Sequence, residues 1–318
     1  MAGFSTQTNV HLIRSNLWSA QLKDYFEDEL MGTNYVRWIT DFPDGDTLNI
    51  PSVGQAEVSD YTENAAAKYT AMDTGNFTFT VNKYKQSGSY MTEKMKQDSY
   101  YASQVLASFV PKQRRAIMAA LETDILAACP DGQTASDLNQ INGADHRWVG
   151  SGTNETLLPE DFARVRYSFQ KAAVPLTNLV AIVDPSVEYN LSTLTNLVNV
   201  SNNKAWEGII RDGASTGMRF LFNIYGFDVY TSNFLKSGIS ETIASSPNGT
   251  VVAAGVANLF FSATPEALPL VGLIRQAPKV DSEFNKDYQR DEYITTARWG
   301  VKLFRPESLC VVLTDVVV

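Results

Sequence analysis

The chain has 318 residues, 44% of them hydrophobic and 19% charged, with a formal net charge of −9. That length can bury a sizeable core without disulfides or metals, and the acidic balance argues against dedicated nucleic-acid binding, which needs Lys and Arg to neutralise phosphates. Two distant cysteines, Cys129 and Cys310, cannot make a disulfide framework, and the longest apolar stretch, Val251–Ala263, is too short to span a bilayer.

In chain order, the first ten residues are polar and read as a mobile arm. Leu17–Leu30 follows as an amphipathic helix, with Trp18, Leu22, Tyr25, Phe26 and Leu30 on one stripe. Tyr35–Thr40 has strand character, and Phe42-Pro43-Asp44-Gly45-Asp46 is a turn signal. Gly45–Tyr84 then reads as a long two-stranded ribbon. Leu48 and Ile50 share one face of its outgoing strand, and Phe77, Phe79 and Val81 share one face of the return. Pro51–Asn76 between them is mostly polar apart from Val53, Val58 and Ala65–Ala67. An isolated hairpin is marginal in water, and no partner is adjacent in sequence. A neighbouring copy of the chain is therefore the expected support. The expected contact residues are Leu48, Ile50, Val58, Phe77, Phe79 and Val81.

A single long helix is expected from Thr92 to Ala128, with Pro111 kinking it near Phe109-Val110 and Cys129-Pro130-Asp131-Gly132 stopping it. Its Lys112-Gln113-Arg114-Arg115 cluster reads as a solvated face. Gln133–Glu155 is rich in Gly, Asn, Ser and Asp and is expected to be a loop. Pro159-Glu160-Asp161 opens a helix, Leu179–Val183 is a buried strand, and Asp184-Pro185 caps a further helix to about Leu197. Strands are expected over Met218–Asn223, Tyr225–Thr231, Val251–Ser262, Trp299–Leu303 and Leu309–Leu313. Asp281-Ser282-Glu283 reads as an acidic loop and Asp287–Glu292 as a solvated segment.

Catalytic patterns are missing. There is no GxxxxGK[ST], no GxGxxG after a strand and no GxSxG elbow. Ser201-Asn202-Asn203-Lys204 fits SxxK but lacks its companion elements. Two histidines, His11 and His146, are too few for an ordinary transition-metal site. No catalytic, cofactor-binding or metal-ligating residue is expected, and the chain is not expected to be an enzyme.

The order of segments resembles the major capsid proteins of tailed double-stranded DNA bacteriophages, with the α+β HK97-like fold. Ile224-Tyr225-Gly226-Phe227-Asp228-Val229-Tyr230-Thr231-Ser232-Asn233 is similar to a stretch of their axial domains, and Trp299-Gly300-Val301-Lys302-Leu303-Phe304-Arg305-Pro306-Glu307 resembles their closing strand. The resemblance implies an N-terminal arm over 1–43, an extended β-hairpin loop over 44–85 and a peripheral domain with a spine helix over 86–160. An axial domain over 161–278 and a return to the peripheral domain over 279–318 would follow. It also implies a structural protein that self-assembles through pentamers and hexamers into an icosahedral head enclosing DNA. The partners expected on that basis are a scaffolding protein, a portal protein and packaged DNA contacted non-specifically, with room for a decoration protein and none for a membrane. No long charged propeptide helix opens the chain, so the scaffolding protein is expected to be separate. Lys68, the one lysine of the loop tip, joins the expected interface residues. An encapsulin-like nanocompartment shell and, from another class, a soluble enzyme without a recognisable motif are the alternatives.

Overall fold

The computed structural model describes residues 30–40, 47–53, 58–64, 66, 69, 74–98, 102–193, 220–243 and 250–315. A 3-10 turn at Gly32–Tyr35 leads into β1 (Val36–Trp38), and β2 (Thr47–Val53) pairs with β3 (Thr74–Thr80). β4 (Lys83–Thr92), α1 (Glu93–Asp98) and α2 (Ala102–Asp131) follow. Then come β5 (Arg147–Val149), α3 (Pro159–Lys171), β6 (Leu179–Val183), α4 (Pro185–Thr193), β7 (Phe220–Ile224), β8 (Phe227–Thr231) and β9 (Ile239–Thr242). The chain finishes with β10 (Thr250–Ser262), β11 (Leu270–Asn285), β12 (Arg290–Leu303) and β13 (Leu309–Thr314).

The strands form three sheets. One has seven strands, in the order β5-β13-β10-β6-β8-β7 with β9 also paired to β10. It is buried on both faces, and its strands alternate between two cores. Val180, Ile182, Leu259, Phe261, Leu309, Val311 and Leu313 point into a core shared with Ile117, Leu121 and Ile125 of α2. Their neighbours Ala181, Val183, Phe260, Cys310 and Val312 point the other way, onto Phe162, Val165 and Phe169 of α3 and Val187 and Leu191 of α4. Phe162, Phe227 and Phe260 meet edge to face, with Phe162 and Phe260 centroids 5.2 Å apart.

Local signals hold the helices in place. Asp161, buried at the start of α3, accepts from the Leu158 N–H at 3.0 Å, the Ser151 hydroxyl at 2.9 Å and the Trp148 indole N–H at 3.0 Å. Asp184 caps α4, whose first residue is Pro185, by accepting from the Ser186 N–H at 2.9 Å.

The second sheet has the order β1-β11-β12-β4 and carries α2 on one face. The inner side of that contact includes Trp299, whose indole N–H donates to Asp124 of α2 at 3.1 Å, and Thr295, which donates to the buried Gln113 at 3.0 Å. The third sheet is the β2–β3 ribbon.

Several expectations need correcting. The acidic "loop" Asp281-Ser282-Glu283 is strand, and the segment Asp287–Glu292 runs from a turn at 286–289 into a strand: β11 and β12 make a long antiparallel hairpin, pairing from Leu270↔Leu303 out to Asn285↔Arg290. Gln133–Glu155 is not all loop, because Arg147–Val149 is a buried strand parallel to β13. Leu309–Thr314 does not return to the sheet of β12; it lies between β10 and β5 in the seven-stranded sheet. The expected single helix from Thr92 is two helices, α1 (Glu93–Asp98) and α2, the second running through Pro111 and past Cys129 to Asp131. Residues 1–29, with most of the expected Leu17–Leu30 helix, lie outside the described residues, as do His11, Lys68 and Ser201.

Candidate assembly interface

The ribbon has a root and a tip with different surroundings. At the root, cross-strand register pairs Leu48 with Phe79 and Ile50 with Phe77, so the apolar residues of both strands share one face. That face does not wait for a neighbour. Phe79 and Val81 are 0% and 3% exposed within this one chain and pack with Val271 and Leu273 of β11, while Leu48, Phe77, Ile39 and Phe304 cover the same cluster. Phe77 meets Phe304 edge to face at 5.0 Å, and Lys302 donates to the Thr78 carbonyl at 2.8 Å. The expectation that Phe79 and Val81 bind a second subunit is therefore corrected: a fully buried side chain has no surface left to offer. Gly300 makes the crossing possible, since a Cβ there would stand 2.9 Å from the Thr80 carbonyl and 3.0 Å from Val81 Cα.

The tip is the reverse. Val58, Tyr61 and Tyr69 are 93%, 87% and 94% exposed. Val58 is among the residues expected at an interface; Tyr61 and Tyr69 are not, although a Tyr in a polar hairpin tip is a legible signal. Ile50, halfway along, is half-buried.

Two carboxylates, Glu122 fully buried and Glu241 half-buried, tie α2 to the rest of the fold. Glu122 of α2 accepts from the Met31 N–H at 3.0 Å and from the Gly32 N–H at 2.7 Å. Glycine is needed at that point, because a Cβ on residue 32 would sit 2.9 Å from a Glu122 oxygen. Burial pushes the Glu122 carboxyl above its ordinary range, against the opposing pull of these backbone N–H groups. At the C-terminal end of α2, Arg147 is buried and forked onto Glu241 of β9, at 2.7 and 3.1 Å. It also donates to the Pro130 carbonyl at 3.2 Å in the helix's last turn. One guanidinium thus satisfies a helix C-terminus and ties it to two strands.

A family model for phage capsid protein matches residues 62–312. The chain belongs to the phage capsid protein family. Solved structures with the same fold include that of Mycobacterium phage Che8, at 16% identity and a TM-score of 0.69, covering 93% of this chain and 96% of the other. The capsid structure of Cyanophage P-SCSP1u matches at 13% identity and a TM-score of 0.70, covering 98% and 94%. The capsid of Cyanophage Pam1 matches at 13% identity and 0.70, covering 99% of both chains. No curated protein matches the sequence. The fold of this capsid protein is HK97-like, its role is structural, and its place is the shell of the virion.

Burial shifts several ionisable groups of the capsid protein. Burial pushes the thiols of Cys129 and Cys310 upward, so neither supplies a thiolate. Burial lowers His146, whose Nδ1 lies 3.1 Å from the Ala144 carbonyl. Tyr35 is pushed up to about 12 by burial, with Tyr230 and Asp228 adding to it. Among the described residues no three His, Cys, Asp or Glu side chains gather as metal ligands. An apolar void between Tyr35, Ile125, Cys129, Leu259 and Phe261 measures about 10 Å³, at the lower limit for one water and without polar partners for it. No described helix is long and apolar enough to cross a membrane.

Proposed function

We propose that this capsid protein assembles through pentamers and hexamers into an icosahedral head around double-stranded DNA, each subunit laying the tip of its ribbon on a neighbour. The observation that carries this reading is the contrast within one ribbon: a root locked to its own sheet and a tip with Val58, Tyr61 and Tyr69 bare. An anchored root sets the direction of the arm, and an apolar tip gains free energy only when another surface covers it. Repeated in every copy, such a head-to-tail contact closes into rings or shells when its rotation closes. Lys68 lies within the same tip sequence and belongs to the proposed contact.

On this reading the seven-stranded sheet forms the axial part, and the four-stranded sheet with α2 forms the peripheral part. Strand pairing favours boundaries other than 161 and 278, since β5 already joins the axial sheet and β11 enters the peripheral one at Leu270. A separate scaffolding protein, a portal and non-specifically contacted DNA are the partners this role requires.

Deleting residues 55–72 and closing the gap with a short Gly-Ser linker tests the reading. The variant should fold, with an unchanged denaturant midpoint, and should form no closed shells by electron microscopy. Normal shells from that variant would refute it.

A further inference from the structure

Among the described residues β4 is the longest strand at a sheet edge, and nothing pairs with its outer side. The Glu93 N–H donates to the Gln289 carbonyl at 3.0 Å, continuing the register that sets Thr92 opposite Arg290. Bonded and unbonded pairs alternate along an antiparallel ladder. The odd-numbered residues of β4 therefore bond to β12, and the even-numbered ones turn their N–H and C=O groups outward. Gln86, Gly88 and Tyr90 offer backbone donors and acceptors there, with no partner among the described residues.

Natural sheets blunt such edges with charges, prolines or bulges. Over Gln86–Thr92 this edge has none of them: every residue is uncharged, and the register with β12 runs without a shift. Three residues along it lack a reason within the subunit. A Cβ on Gly88 would meet nothing nearer than the Tyr293 carbonyl at 3.9 Å, and its φ is not left-handed, so this chain alone does not require glycine there. Glycine weakens a strand, and where it persists it often marks the close approach of another backbone. Tyr90 has the Arg290 guanidinium 4.5 Å from its ring and is still 58% exposed. Lys85 is exposed and makes no ion pair among the described residues.

We propose that β4 of a second copy of this chain pairs antiparallel with this edge about a two-fold axis at Ser89, joining two four-stranded sheets edge to edge. The contact is separate from that of the ribbon tip, and it rests on the proposed reading that copies of this chain assemble. Ser89 lies midway between Lys85 and Glu93, so the register sets Lys85 opposite the partner's Glu93, and the reverse. Glu93 has one internal cation, Lys96 at 3.4 Å, and its side chain is 46% exposed. Tyr90 stands opposite the partner's Gly88, where the missing side chain leaves its ring room to lie on backbone. Gln86 and Thr92 complete the ladder with the partner's Thr92 and Gln86. An axis at Tyr84 or Lys85 would instead set lysine against lysine. α1 leaves the edge clear, since Lys96 reaches inward to Asp291 of β12. A charge order that matches its own reversal selects a second copy over a foreign strand, and a two-fold contact of this kind uses the same patch on both subunits.

Disulfide trapping tests the contact, because Cys129 and Cys310 are buried and an added thiol on β4 reports alone. In an unbonded antiparallel pair the Cα atoms of Ser89→Cys and its counterpart would stand about 4.5 Å apart, within reach of a disulfide. The full-length variant is oxidised with diamide, both as assembled particles and as concentrated unassembled protein, and run on a non-reducing gel. Most of the chain should migrate as a covalent dimer. Ser87→Cys, about 13 Å from its own counterpart in this register, should stay monomeric. Gly88→Val added to Ser89→Cys should keep the unfolding midpoint, since a Cβ has room there within the subunit, yet lose the dimer by displacing the partner's Tyr90. Lys85→Glu should lose it too, and Lys85→Glu/Glu93→Lys should restore it. No dimer from Ser89→Cys in either state overturns the inference. An equal yield from Ser87→Cys, or a yield that Gly88→Val leaves unchanged, does the same. Particles without the dimer sink only this inference, whereas the dimer without particles sinks the proposed head and leaves the paired edges standing.

Discussion

The seven-stranded sheet and the ribbon are both antiparallel-rich β structure, yet they are stabilised in opposite ways. The sheet is covered on both faces, so Phe260 and Val312 find partners on α3 and α4 while Leu259 and Val311 find theirs on α2. The ribbon has one apolar face, and that face is covered only at its root, by Val271 and Leu273. Beyond the root it has a two-stranded backbone and exposed Val58, Tyr61 and Tyr69. Burial fixes the first region within the monomer, and the second has its free energy still to gain. A subunit built this way folds before it assembles, with the assembly energy kept at the end of an arm.

Phe260→Ala should separate the two regions most sharply. It removes a side chain that is fully buried between Phe162 and Phe227, and a Phe-to-Ala cavity costs about 3–5 kcal/mol. The denaturant midpoint of unassembled protein should fall accordingly, and shells should fail because subunits fail to fold. A loss under about 1 kcal/mol would mean that the sheet does not carry the monomer's stability.

The next effect concerns the joint between α2 and this sheet. Glu241→Ala leaves Arg147, 2% exposed at its side chain, without its carboxylate. Removing one partner of a buried pair costs about 3 kcal/mol. Adding Arg147→Met should recover part of that loss in the same unfolding measurement. A double variant worse than the single would assign Arg147 a contribution from the Pro130 carbonyl that outweighs its charge.

The contrast between regions also explains which parts of the fold the sequence announces. β6 and β13 are unbroken apolar runs because both their faces are buried, and Asp184-Pro185 marks the start of α4 by local chemistry alone. The outer half of β11 lacks such a signal. Lys279, Asp281 and Glu283 lie on a wet face, and Val280, Ser282 and Phe284 between them are too mixed to give an apolar alternation. The root of the ribbon was legible as an apolar face, but its partner Val271 lies almost 200 residues on from Phe79, and periodicity carries no information about such distances. Hence Phe79 and Val81 looked like interface residues. Arg147 with Glu241 and Glu122 with Gly32 were equally out of reach, since nothing local distinguishes a buried carboxylate from a solvated one before the chain is folded.

Glu122 sharpens the comparison through pH. Its folded-state pKa is raised by burial, so the folded protein binds a proton there more readily than the unfolded chain does. The carboxylate therefore opposes folding at pH values above the raised pKa, and that penalty is relieved as the pH falls through it towards the ordinary 4.5. Other carboxylates titrate in the same range, so the measurement is the difference in unfolding free energy between wild type and Glu122→Gln across pH 8 to 4. Wild type should gain on the variant as the pH drops. A flat difference would mean that the Met31 and Gly32 N–H groups offset the burial in full.

The smallest expected change in stability accompanies the largest expected change in assembly. Val58→Ser/Tyr61→Ser/Tyr69→Ser alters three side chains that the subunit itself scarcely covers, and such surface changes shift stability by about 0.5 kcal/mol or less. The denatured chain exposes them as well, so there is little to lose on either side of the folding equilibrium. A neighbour that buries them loses all three contacts in every copy of the shell. The midpoint of unfolding should therefore stay where it is while closed shells disappear from micrographs. Shells that form normally would place the assembly energy elsewhere on the subunit. A large drop in the midpoint would mean instead that the tip folds back on its own chain, and the distinction between root and tip would be lost.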